Sequence, residues 1–217
     1  MRAPCPGRIY AIADAEALGR LGRPGNTPLP AAVAAMAEAG VRWIQVRAKR
    51  LAGSDLYRAL EASCRAVEGS GAALWVDDRA DLAALFPVAG VHVGQGDLPP
   101  AAARRVVGPE LWIGQSTHGE AQLEAADEDP DVDVVAVGPV FATASKERPD
   151  PVVGLELVRW ARARTAKPLV AIGGIGAENA AEVLAAGADA VAVLGAVCRG
   201  DVAESCRRLL SSVGAAG

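Results

Sequence analysis

The chain has 217 residues, of which 51% are hydrophobic, 22% charged and only 4% aromatic, with a formal net charge of −4. That length supports a substantial core, the composition excludes a disordered chain, and the acidic balance leaves no basic stripe to serve as a nucleic-acid surface. No apolar run approaches the ~18 residues of a membrane span, and the opening Met1–Pro6 has no apolar signal core, so a soluble, cytoplasmic protein with no membrane partner is expected.

In chain order, the apolar run Arg8–Asp14 reads as a first strand. Pro30–Gly40 then carries Val33, Met36 and Ala37 at helical spacing and stops at a glycine. Trp43–Ala48 is the second strand, followed by a helix over Ser54–Gly69, with Ser54 as its cap and Leu56, Leu60, Cys64 and Val67 along one face. A third strand, Ala73–Asp78, precedes helical 79–86, and a fourth, Gly90–Gln95, precedes 99–107. Leu111–Thr117 is paired with 119–127, and Val134–Phe141 with 154–165. Pro168–Gly174 is followed by Ala177–Gly187, and Ala190–Ala196 by a last helix at 201–213, leaving 214–217 as a tail. Eight strand–helix units with near-continuous apolar strands predict an α/β protein, a parallel (β/α)8 TIM barrel in a single domain over residues 1–217. A doubly wound open sheet is the alternative; it would have fewer strands, and a Gly-rich turn where this chain has Asp14-Ala15-Glu16.

In such a barrel the chemistry gathers at the C-terminal strand ends. Strand two leaves Gln45, Arg47 and Lys49 at alternate positions, hence on one face, and cations on a strand bound for the interior call for an anion. Strand three ends in Asp77-Asp78 and strand four runs on to Asp97. Asp78 and Asp97 suit a Mg²⁺ ion whose other positions are filled by phosphate and water, while one of the paired acids is expected to cap the next helix. Strand five ends Ser116-Thr117-His118, where Thr117 is a candidate helix cap. Strand six opens into small residues, hydroxyls and Lys146, a loop suited to an anion lid. The glycines after strands seven and eight let backbone N–H groups approach a phosphate. Two phosphorylated substrates, one a diphosphate requiring Mg²⁺, are the simplest reading. The four cysteines, Cys5, Cys64, Cys198 and Cys206, form no C-x-x-C pair and read as buried thiols rather than disulfides or zinc ligands.

Several stretches resemble thiamine-phosphate synthase across nearly the whole chain. They are Gln45–Lys49, Asp78–Ala83, Gly90–Leu98, Ile113–His118, Val137–Lys146 and Ala171–Ile175. The resemblance implies condensation of hydroxymethylpyrimidine diphosphate with thiazole phosphate to give thiamine monophosphate and pyrophosphate, by a dissociative substitution that uses Mg²⁺ and no protein nucleophile. It implies Gln45, Arg47, Lys49, Asp77, Ser116 and Lys146 for the pyrimidine diphosphate, with Lys49, Lys146 and Ser116 the catalytic set. Thr143, Ala144, Ser145, Gly174, Leu194 and Gly195 would hold the thiazole phosphate, and Asp78 and Asp97 the Mg²⁺. Three positions depart from the family pattern: Asp77 stands for a usual Asn, Gly195 for a Ser and Ser145 for a Thr. Rival readings are a thiazole tautomerase, with His118 as general acid/base, and a non-catalytic thiamine-phosphate-binding barrel. A homo-oligomeric state is left open. In an arginine-dominated chain the lysines are Lys49, Lys146 and Lys167, and Lys167, at the opposite rim, has no expected role.

Overall fold

The computed structural model describes residues 5–19, 28–143 and 150–214. Its elements alternate along the chain: β1 (Ile9–Asp14), α1 (Ala15–Gly19), α2 (Leu29–Glu38), β2 (Trp43–Arg47), α3 (Gly53–Ala66), β3 (Ala73–Asp77), α4 (Ala80–Ala83), β4 (Gly90–Val93) and α5 (Pro100–Val107). They continue with β5 (Trp112–Thr117), α6 (Glu120–Glu128), β6 (Val134–Val137), α7 (Gly154–Arg162), β7 (Leu169–Ile172), α8 (Ala180–Ala185), β8 (Ala190–Val193) and α9 (Val202–Gly214). The strands pair in parallel in sequence order and close, β8 lying against β1. The architecture is the (β/α)8 barrel expected from the strand–helix rhythm.

The period-2 alternation of the strands divides the core into two parts. Outward residues such as Ile44, Val76, Val91, Val135 and Val191 pack with the helices in one cluster. The inward set comprises Tyr10, Ile12, Trp43, Trp75, Val134, Ala136, Val170, Ala190 and Ala192. It is lopsided. Tyr10 stacks on Trp43 with ring centroids 4.1 Å apart, and Trp75 lies 5.4 Å from Trp43, so the β1–β3 side is filled with rings. On the β6–β8 side the fully buried inward residues are only Val and Ala, which leaves space above them.

Strand ends at β6 and β8 and the starts of three helices differ from expectation. β6 stops at Val137 rather than Phe141, because Gly138-Pro139 follows and a proline has no N–H for the ladder. β8 likewise ends at Val193. Neither Asp77 nor Asp78 caps α4: that position falls to Arg79 with no side-chain cap, and Asp78 sits at φ 58 with its N–H donating to the His92 carbonyl at 2.8 Å. Ser54 and Thr117 are not caps either. Ala52 precedes α3, and Thr117 Oγ1 donates to the Ala136 carbonyl at 3.0 Å inside the barrel wall.

The N-terminal rim is fastened by charge. Asp133 Oδ2 accepts from Ile113 N and from Arg104, and Asp189 Oδ2 accepts from Leu169 N and from Arg162. Lys167, expected to be idle, donates to the carbonyls of Ala126 and Asp129 at 2.9 and 2.7 Å, closing the C-terminus of α6. Cys5, Cys64, Cys198 and Cys206 are free thiols. No helix among the described residues is long and apolar enough to cross a membrane.

Candidate active site

A cavity of about 930 Å³ opens at the C-terminal ends of the strands, floored by Ile12, Ala136, Val170 and Ala192. Around it the strand ends bring together Gln45, Arg47, Lys49, Asp77, Asp78, Asp97, Ser116, Thr143, Gly174, Leu194 and Gly195, all of which line it. Ala144, Ser145 and Lys146 lie outside the described residues.

The ladder register explains the charged side. Asp14 pairs with Arg47 across β1–β2, and Asp77 pairs with His92 across β3–β4, so alternate positions of four strands face one another. Arg47 forms an ion pair with Asp14, whose other oxygen accepts the N–H of Ala17 at the start of α1. Arg47 Nε also lies 3.4 Å from Asp77 Oδ2, and Lys49 Nζ approaches the same oxygen at 3.4 Å while bonding Asp78. That Asp77 oxygen is buried and makes no hydrogen bond of good geometry, so its contact with the two cations is one of charge alone. Burial pushes the Asp77 carboxyl up to about 7, reinforced by Asp78 and opposed by Lys49 and Arg47. Burial works against the charged forms of Arg47 and Lys49, but the surrounding carboxylates outweigh it and hold both above their usual values.

The Asp78 and Asp97 carboxyls are close enough to perturb one another. Burial and the neighbouring Asp97 raise Asp78; Asp97, despite its own burial, is held low by Asp78, the Gly94 N–H and Lys49. Gly94 N donates to Asp97 Oδ2 at 2.9 Å, which fixes that carboxylate. Two acids this close need a shared proton or a cation between them. No cluster of three or more His, Cys, Asp or Glu side chains able to hold a metal occurs among the described residues. A pair of carboxylates does fit Mg²⁺, which commonly takes one or two from the protein and its other ligands from phosphate and water.

Below this rim sit residues that the sequence reading passed over. Gln45 Nε2 donates to the Tyr10 hydroxyl at 2.7 Å, which fixes the amide. His92 Nε2 shares a 2.9 Å hydrogen bond with Ser116 Oγ; burial, with help from Lys49, pushes the imidazole down to about 4, so it is neutral near pH 7. Gly114 makes room for this ring: a Cβ there would lie 2.5 Å from His92 Nδ1. Gln95 Nε2 donates to the Ser116 carbonyl at 2.7 Å, so Ser116 is held from both ends. The signal for Tyr10 and His92 was their period-2 position, inward on β1 and β4.

The β7–β8 side carries main chain instead of charge. Gly173 and Gly174 have φ 104 and 65, and a Cβ would lie 2.5 Å from Pro139 Cα at the first and 2.6 Å from the Ala142 carbonyl oxygen at the second. Only glycine permits this close approach of two loops. Asn179 ties the turn by accepting from Gly176 N at 2.8 Å and donating to Gly174 O at 3.1 Å. His118 also lines the cavity; its Nδ1 is 2.6 Å from the Gly138 carbonyl, and Nε2 faces Asp150 at 3.6 Å.

Comparison with known proteins agrees with this geometry. The family model for thiamine monophosphate synthase matches residues 9–197. A thiamine-phosphate synthase of Koribacter versatilis is 46% identical over 187 residues, 86% of this chain and 87% of its own. One from Methanoculleus marisnigri is 43% identical over 96% of both chains. The solved thiamine phosphate pyrophosphorylase of Pyrococcus furiosus superposes with a TM-score of 0.83 at 30% identity, covering 96% of each chain. The chain therefore belongs to the thiamine monophosphate synthase family, a family of transferases.

Proposed function

We propose that this protein, a single-domain cytoplasmic enzyme, condenses hydroxymethylpyrimidine diphosphate with thiazole phosphate, forming thiamine monophosphate and pyrophosphate. The observation that carries the reading is one cavity with a cationic, carboxylate-bearing wall on β2–β4 and a glycine-built neutral wall on β7–β8. Arg47 and Lys49, fixed by their acidic neighbours, bind the diphosphate oxygens. Gln45, Asp77 and Ser116 orient the pyrimidine, with Tyr10 and His92 holding Gln45 and Ser116 in place. Thr143, Gly174, Leu194 and Gly195 form the cradle for the thiazole phosphate, and Ala144, Ser145 and Lys146 complete the two subsites in the proposal.

The bond between the pyrimidine methylene carbon and the diphosphate oxygen breaks, its electron pair leaving with pyrophosphate. The thiazole nitrogen lone pair then forms the new C–N bond. Asp78 and Asp97 would hold Mg²⁺, which supplies charge neutralisation on the diphosphate. The protein contributes alignment of the two reactants and fixed charge, without a covalent intermediate.

A coupled pyrophosphate assay with both substrates tests this. Mg²⁺-dependent release is expected, falling by about a hundredfold or more in Asp97→Ala. Full turnover in excess EDTA would overturn the metal assignment, and no pyrophosphate release would overturn the function. The place of His118 in the same cavity favours thiazole tautomerisation as a second reading. Tautomerisation without the pyrimidine substrate, lost in His118→Ala, would select it.

A further inference from the structure

Among the described residues, most arginines away from the cavity are already engaged. Arg58 pairs with Asp55, Arg65 with Glu61, Arg79 with Asp81, Arg104 with Asp133, Arg159 with Glu156 and Arg162 with Asp189. The side chains of two arginines that line the cavity, Arg199 in the turn after β8 and Arg208 on α9, are exposed and meet no carboxylate or hydrogen-bond acceptor among the described residues. Ser205, which lines the cavity too, precedes Arg208 by three positions, so both lie on one face of α9. Its hydroxyl donates to the Arg199 carbonyl at 3.3 Å, tying the turn to the helix. Leu194 and Gly195, at the end of β8, lie against the same space.

We infer that Arg199 and Arg208 form a cationic outer wall of the β7–β8 subsite, and that they select a phosphate monoester over the corresponding free alcohol in the second substrate. This rests on the condensation proposed above. Apart from Arg199, the cavity-lining residues of the turns after β7 and β8 offer backbone groups and no side-chain cation, Gly195 carries no side chain, and Glu178 adds a carboxylate to that part of the lining. A neutral cradle fixes the geometry of a dianion but attracts it weakly, and Glu178 opposes it. Two uncommitted guanidinium forks at the mouth restore the charge balance and can bond phosphate oxygens in a bidentate manner.

The test is steady-state kinetics of Arg199→Ala/Arg208→Ala, with Arg199→Lys/Arg208→Lys as the charge-keeping control. The second substrate is supplied as phosphate ester and as free alcohol. The double alanine variant is expected to raise KM for the phosphate ester by roughly tenfold, with the change carried by KM rather than kcat. KM for the alcohol and for the pyrimidine diphosphate should move less than about twofold, and the lysine pair should recover most of the loss. An unchanged preference for phosphate over alcohol overturns the inference, as does a loss confined to the diphosphate substrate. Should the wild-type protein release no pyrophosphate, the condensation reading fails on its own. Calorimetric titration of thiazole phosphate into wild type and double variant then decides the arginines, equal affinity overturning them. Unaltered thermal melts of both variants guard against misfolding, since the two side chains are exposed.

Discussion

The two walls of the cavity offer an anion opposite materials. On β2–β4 the cations are braced before any ligand arrives: Arg47 by Asp14 and Asp77, Lys49 by Asp77 and Asp78. On β7–β8 the wall is main chain, with Gly173 and Gly174 packed against the Pro139–Ala142 loop. The first wall is a balance of charges, in which a side chain can be exchanged at the cost of rebalancing its neighbours. The second is a steric fit of backbone on backbone, which no side chain can imitate. Substitutions should therefore damage the first in turnover and the second in folding.

The largest effect is expected on the neutral wall. Gly173→Ala combines a left-handed φ of 104 with a Cβ placed 2.5 Å from Pro139, and should cost roughly 3–4 kcal/mol. Thermal denaturation should register a fall of roughly 6–16 °C for a chain of this size. A melt within 2 °C or so of wild type would show that the two loops can part without penalty.

Next comes the neutral histidine beneath the charged wall. A His whose folded pKa is depressed binds fewer protons folded than unfolded, so stability should fall as pH drops from about 6.5 towards about 4. The loss is roughly 3 kcal/mol across that window. Asp77, raised by burial, acts in the opposite sense, losing stability as pH rises. The difference between wild type and His92→Asn in denaturant unfolding at a series of pH values isolates the histidine. A difference independent of pH would remove it.

Lys49→Arg should lower turnover by at least about tenfold, roughly 1.4 kcal/mol in the barrier, because a planar fork cannot occupy the ammonium position between Asp77 and Asp78. Equal kcat for the two would reduce that wall to net charge alone. The smallest effect lies at the far rim. Lys167→Ala removes two hydrogen bonds from the end of α6 and should cost about 1 kcal/mol of stability with turnover intact. A loss of activity without a loss of stability would link the two rims.

The sequence made the barrel and its charged wall legible because both rest on local patterns. Period-2 alternation orients Gln45, Arg47, Asp77 and Ser116, and the strand ends are where a barrel places its chemistry. The partners of those residues were not legible. Asp14 meets Arg47, and His92 meets Ser116, only through the register of neighbouring strands, which no short motif carries. The expected helix cap at Asp77-Asp78 failed for the same reason: Asp78 is drawn into the left-handed region by the bond to the His92 carbonyl and by Lys49, both distant in sequence. Arg199 and Arg208 look like any other arginine in the sequence, since what sets them apart is a place on the cavity wall together with an unengaged side chain, and both belong to three dimensions.

The lopsided filling of the barrel also gives the protein a built-in optical reporter. Trp43 and Trp75 are wholly shielded from solvent, and each contacts Tyr10, whose hydroxyl holds Gln45 at the cavity. Arrival of an aromatic ring or a change in charge above Tyr10 alters the field at both indoles. Their emission can thus follow occupancy of the pyrimidine side in real time, without a label and without turnover.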